Sequence, residues 1–236
     1  MSTRVAAVDC GTNSVRLLIA ERADAAPGFA ELDRDLRLTR LGQGVDATGR
    51  FAPDALARTL DAIGEFARRI ADAGASRVRL VATSAARDAA NREEFYAGVR
   101  RLLGVDAEVI SGDEEARLSF TGALSVAPAV EWPVLVMDIG GGSTELVLGA
   151  PDAAGRPAVL AARSLDVGAV RLRERFLRSD PPTDAEVAAA ASFVDGLIAA
   201  SGVEVAAART WIGVGGTATS LSAIQQGLAR YDRARV

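Results

Sequence analysis

The sequence predicts an α/β protein built from two related domains. Three observations carry the prediction. Short apolar runs of strand type alternate with stretches of helical spacing. A strand, an Asp-x-Gly turn and a second strand occur together twice. The two copies lie a domain's length apart, so the repeat is one of whole domains. Two such domains, facing each other across a cleft, would each present a glycine-rich hairpin to it.

The elements follow in order. Val5 to Asp9 reads as a buried strand and Val15 to Glu21 as the next, with the turn Cys10-Gly11-Thr12-Asn13-Ser14 between them. Leu36 to Leu41 reads as a third strand. From Pro53 to Gly74, Leu56, Leu60, Ile63, Phe66, Ala67 and Ile70 recur at helical spacing. Pro53 suits a first helical turn and Gly74 a helix end. Val78 to Ala82 is a short strand, followed by the polar turn Thr83-Ser84 and a helix from near Asn91. Ala107 to Ile110 is strand-like, and Ser111 opens a helix. Val134 to Asp138 and Glu145 to Leu148 form the second strand pair around Gly140-Gly141-Gly142-Ser143. Thr183 to Gly202 is an alanine-rich helix, with Thr183 and Glu186 spaced as a capping box. Trp211 to Val214 is a last strand before Gly215-Gly216. The segment Pro128 to Pro133 is the expected domain junction, giving domains 1–127 and 128–236.

Composition narrows the chemistry. The 236 residues suit one or two domains. All 27 basic residues are arginine, and 31 acidic residues leave a net charge of −4, which argues against general nucleic-acid or membrane-surface binding. No histidine is present, which removes Ser-His-Asp and Cys-His catalysis and histidine-ligated metals. No lysine is present, which removes Schiff-base chemistry and the P-loop lysine. The single cysteine, Cys10, excludes an internal disulfide and reads as a small buried residue. The start Met1-Ser2-Thr3-Arg4 lacks the layout of a signal peptide. No apolar stretch approaches ~20 residues, so no membrane span and a cytoplasmic location are expected.

What remains is chemistry with carboxylates, hydroxyls, arginines and backbone amides. Successive N–H groups in a tight glycine turn form an anion-binding concavity. An aspartate at the strand end can hold a hydrated Mg²⁺ that neutralises phosphate oxygens. Hydrolysis needs a base for water, and without histidine a carboxylate is the default. Ser111 and Glu114 are spaced as a cap, which accounts for Glu114 and leaves Glu115 unexplained; both acids also suit a helix N-terminus.

At Ala7 to Ser14, Ala82 to Asn91, Ile110 to Arg117, Asp138 to Leu146, Ser164 to Leu172 and Gly213 to Thr219 the sequence resembles the exopolyphosphatase/guanosine pentaphosphate phosphohydrolase (Ppx/GppA phosphatase) family of the actin, sugar kinase and Hsp70 superfamily. The resemblance implies two duplicated ribonuclease H-like, actin-like ATPase domains. It implies an acid anhydride hydrolase that releases terminal phosphate from polyphosphate or pppGpp with Mg²⁺. The second glutamate of its motif makes Glu115 the catalytic base. Gly11, Thr12, Asn13, Ser14, Arg87, Gly140, Gly141, Gly142 and Ser143 become phosphate-binding candidates. Asp9, Asp138 and Glu145 become metal or water-positioning candidates. Arg16 and Arg171 are weaker candidates for phosphate. Gly215, Gly216 and Thr217 fall where the superfamily has its nucleotide-side loop, to contact the far end of a chain-like substrate or simply to start a helix. Members are often homodimers, and they continue past this point with a His-Gly step and further helices, so the resemblance leads us to expect more chain after Val236. A kinase of the same superfamily and a non-catalytic polyphosphate or alarmone sensor share the same hairpins.

Overall fold

The computed structural model describes residues 3–22, 29–127 and 129–236. Met1, Ser2 and Pro128, which entered the readings of the N-terminus and of the junction, lie outside them. The chain divides into two compact units, one ending at Ile110 and the other starting at Ser111.

In the first unit, β1 (Arg4–Cys10) and β2 (Ser14–Arg22) pair antiparallel, and β3 (Phe29–Leu38) adds to β2. Then come α1 (Val45–Thr48), α2 (Pro53–Asp72), β4 (Arg77–Ala82), α3 (Ser84–Asp88), α4 (Arg92–Leu103) and β5 (Ala107–Val109). The sheet order is β3-β2-β1-β4-β5, with β4 parallel to β1 and β5 parallel to β4. Ala6, Val8, Cys10, Val15, Leu17 and Ile19 share one core with Leu56, Ile63 and Phe66 of α2 and Phe95 of α4. That is the alternation of period two meeting a helical stripe. Burial, with the charge of Asp9, pushes the Cys10 thiol far above its ordinary range, so it is an inert core residue.

The third strand differs from its expected place. It begins at Phe29 and stops at Leu38, and Thr39 to Gly42 instead fold back on the first hairpin. Its charges hid it: Arg69 of α2 binds both Asp33 and Asp35, so ion pairs hold this edge strand. The short α3 stands where a turn was expected.

In the second unit, α5 (Gly112–Val126) precedes β6 (Val134–Ile139), β7 (Thr144–Pro151), β8 (Pro157–Leu165), α6 (Ala169–Arg175), α7 (Asp184–Ala200), β9 (Thr210–Val214) and α8 (Gly215–Gln225). The sheet order is β8-β7-β6-β9. Ala116 and Phe120 of α5 pack with Val134, Val136 and Val147 on one face. Leu135, Leu146 and Leu148 meet Phe193 and Leu197 of α7 on the other. A strand covered on both sides reads as a continuous apolar run, as β6 does. The sequence boundary after residue 127 left α5 with the first unit; its packing against β7 and β8 puts it with the second. The expected capping box forms: Glu186 N–H donates to Thr183 Oγ1 at 3.3 Å, and Thr183 N–H to Glu186 Oε2 at 2.8 Å.

The duplication is exact in topology at four strands, since β3-β2-β1-β4 corresponds to β8-β7-β6-β9. The last strand of each set runs parallel to the first strand of its hairpin. No described helix is long and apolar enough to cross a membrane.

Candidate active site

The two hairpins close in the same way. Gly11 N–H donates to Ser14 O and Gly140 N–H to Ser143 O, both at 3.0 Å. Asp9 faces Arg16 across the first ladder, and Asp138 faces Glu145 across the second. In each unit the chain after the third strand returns over the turn and binds its carbonyls. In the second unit Ala169 N–H donates to Gly140 O at 3.0 Å and Val170 N–H to Gly141 O at 2.8 Å. Arg171 Nε donates to Gly142 O at 2.6 Å. The N–H of a trans peptide points opposite to its C=O. The amides of Gly141, Gly142 and Ser143 are therefore turned away from α6 as a group, which makes the concavity an anion needs.

In the first unit Gly42 N–H donates to Thr12 O, and the N–H groups of Thr39 and Arg40 both donate to Asn13 O. This turns the amides of Asn13 and Ser14 away in the same manner. The Thr12 side chain is buried with its methyl against Gly42, and its hydroxyl has no partner among the described residues. Thr12 therefore serves the turn through its backbone.

The second unit concentrates acid. Glu145 is 1% exposed on β7, and its Oε1 accepts from Ser164 Oγ at 2.7 Å. Burial first, then the charge of Glu115, pushes its carboxyl up to about 8; Asp138 adds to this, while hydrogen bonds from Ser164 and Ser143 oppose it. Glu145 thus binds a proton more tightly than an ordinary carboxylate. Glu115, whose charge acts on it, is half-buried on the first turn of α5. Ser111 caps that helix as expected, accepting from Glu114 N–H at 3.1 Å. Asp138 Oδ2 accepts from Ser119 Oγ at 2.6 Å, and its Oδ1 lies against Gly215, which starts α8 at φ +87°. Gly216 and Thr217 follow in the first turn of α8, on the same strand end as Asp138.

Other expected residues are placed as follows. Asp9 accepts from Arg16 Nη1 at 3.5 Å in the first unit. Arg87 lies in the last turn of α3 and donates to Ile110 O at 3.0 Å. Ser143 is buried and committed to Glu145. Of the expected metal group, Asp138 and Glu145 face each other across the second ladder and Asp9 lies at the matching place of the first unit; among the described residues no three acidic or cysteine side chains gather to hold an ion. Glu145 is engaged by Ser164 and Ser143, and Asp138 retains Oδ1. Mg²⁺ is commonly held by one or two carboxylates plus substrate phosphates, and Asp138 suits that mode.

Sequence reading missed Ser119, Ser164 and the covering role of α6. Ser119 follows Glu115 by four residues, so helical spacing alone puts both on one face of α5. Ser164 opens one of the six segments that carry the resemblance, but β8 was not recognised as a strand, so nothing placed Ser164 beside Glu145.

An α/β duplication with an Asp-x-Gly hairpin in each copy defines a protein of the actin-like fold. A family model described as the Ppx/GppA phosphatase family matches residues 18–235, and the chain belongs to that family. It is 49% identical over 246 aligned residues to Exopolyphosphatase 2 of Mycobacterium tuberculosis, covering 99% of this chain and 74% of the relative. A crystal structure of an exopolyphosphatase-like protein matches with TM-score 0.91 and 49% identity, over 96% of this chain and 70% of the other. The Aquifex aeolicus family member matches with TM-score 0.76 and 36% identity, over 100% and 74%. An exopolyphosphatase from Cytophaga hutchinsonii matches with TM-score 0.84 and 25% identity, over 97% and 72%.

Proposed function

We propose that this protein releases terminal phosphate from inorganic polyphosphate. The observation that carries the reading is the contiguity of an amide cradle and a carboxylate pair: Ser143 closes the glycine turn, bonds Glu145, and Glu145 in turn feels the charge of Glu115. The names of the similar exopolyphosphatases support the same substrate.

In this reading the terminal phosphoryl oxygens rest on the N–H groups of Gly141, Gly142 and Ser143. The preorganised amides stabilise charge without rearranging. Glu115 orients a water in line with the bridging bond and takes its proton. The oxygen–phosphorus bond to water forms as the bond to the remaining chain breaks, and that chain leaves with the electron pair. Glu145 stays protonated beside Glu115, so the pair never carries two buried charges. Positioning and charge stabilisation do most of the work, as in other phosphoryl transfers. Asp138 would hold Mg²⁺ at the second hairpin, where the ion when bound would neutralise phosphate charge, and Asp9 is the carboxylate at the matching place of the first hairpin. Gly215 to Thr217 and Arg87 are further phosphate contacts in this reading.

The test is phosphate release from long-chain polyphosphate, short polyphosphate, pppGpp and ATP in parallel, with and without Mg²⁺. Release without an added acceptor separates a hydrolase from a kinase. Glu115→Gln should abolish release and spare binding; near-normal turnover by that variant would overturn the assignment.

A further inference from the structure

We infer that Arg40 is a substrate-binding residue of the first unit, gripping a phosphate of the chain held at the turn Gly11–Ser14. The inference rests on the polyphosphate reading above. Arg40 has φ +53°, and it is the one non-glycine residue in the left-handed region among the described residues. Left-handed backbone is easy for glycine and tolerable for asparagine or aspartate, and it is unfavourable for a long side chain. A side chain kept there at conformational cost points to a use for that side chain.

Its place says what the use is. Arg40 N–H and Thr39 N–H converge on Asn13 O at 3.0 and 3.1 Å, so the strained residue is bonded directly to the anion turn. The hydroxyls of Thr12 and Thr39 on either side of this contact are buried without partners among the described residues. Three unfavourable features thus meet on one patch.

The charge around it completes the case. Neighbouring arginines are engaged: Arg16 with Asp9, Arg37 with Asp35 and Glu65, and Arg58 with Asp54 and the Thr39 carbonyl. Arg40 is exposed and has no ion-pair or hydrogen-bond partner for its guanidinium among the described residues. A planar guanidinium grips phosphate through two parallel donors. A long polyanion needs such contacts beyond the one phosphate being cleaved.

Arg40→Gly and Arg40→Lys in the full 236-residue chain test this by melting without substrate, by long-chain polyphosphate affinity across salt concentrations, and by KM and kcat. Arg40→Gly relieves the backbone, so its melting temperature should hold or rise. Its KM for polyphosphate should nevertheless rise about tenfold, with a KM effect larger than any fall in kcat and a shallower salt dependence. Arg40→Lys should recover part of the affinity. If Arg40→Gly binds and turns over polyphosphate like the wild type, Arg40 is not a substrate contact. If the wild type neither binds nor hydrolyses polyphosphate, the functional reading itself fails and takes this inference with it.

Discussion

Gly112 and Ser164 meet so closely that a Cβ on the glycine would stand 2.4 Å from the Ser164 Cβ and 2.7 Å from its Oγ. Real carbons do not approach to that distance. The contact seats the first turn of α5 on β8, and Ser164 is the residue that bonds Glu145. The missing side chain at Gly112 is therefore what lets α5 deliver Glu115 to its partner acid.

Gly112→Ala should push α5 off the sheet. Overpacking of this kind costs about 1–3 kcal/mol, read as a lowered denaturant midpoint. Phosphate release should fall more steeply than stability, because the Glu115–Glu145 relationship is lost first. Adding Ser164→Gly should restore the fit and the stability while leaving activity low, since the hydroxyl that Glu145 accepts from is gone. Recovered activity in that double variant would show that the serine bond is dispensable.

Glu145 makes stability depend on pH with a definite sign. Its carboxyl titrates ordinarily near 4.5 and here near about 8. Between those values the folded chain holds a proton that the unfolded chain has released, so this group disfavours folding increasingly as pH rises through that window. Below the lower value it imposes no such penalty. Glu145→Gln keeps an oxygen to accept from Ser164 and cannot ionise. The variant should gain stability relative to wild type at pH 8 and lose that advantage at pH 4, as measured by urea unfolding at each pH. An equal difference at both would contradict the assignment of the proton.

Gly168 faces backbone rather than a side chain: a Cβ there would lie 2.6 Å from both Gly140 O and Gly141 O. Neither carbonyl can yield without releasing the N–H groups of Ala169 and Val170. Gly168→Ala should therefore separate α6 from the turn, misalign the three outward amides, and raise KM for polyphosphate at least tenfold, with a stability loss of about 1–3 kcal/mol. Gly122→Ala is the control, because nothing lies within 4 Å of that Cβ on exposed α5. It should be neutral or gain up to about 1 kcal/mol from helix propensity.

Much of the fold was legible because its signals are local. Pro53 starts α2, Thr183 and Glu186 cap α7, and the two hairpins announce themselves through Asp and Gly at matched places. The elements that escaped are those whose order comes from neighbours. Strand β3 carries alternating charges and is held by Arg69; β8 and the short α6 have no clear period and are fixed by β7 and by the turn they cover. The division between the units was misplaced for the same reason, since α5 belongs with the sheet that it packs on and not with the strand that it follows.

The amino-acid order by itself determined the α/β class, the duplication, the two Asp-x-Gly turns and the set of available chemistries, because composition and short-range spacing are properties of the chain alone. Only tertiary structure decided what each acid does. Asp138, Glu145 and Glu115 look alike in sequence, yet one accepts from Ser119, one is buried with its carboxyl pushed up, and one is half-exposed with its charge acting on the second. A carboxyl's proton affinity is set by burial and by charges brought from distant segments, and those exist only once α5 has closed over β7 and β8.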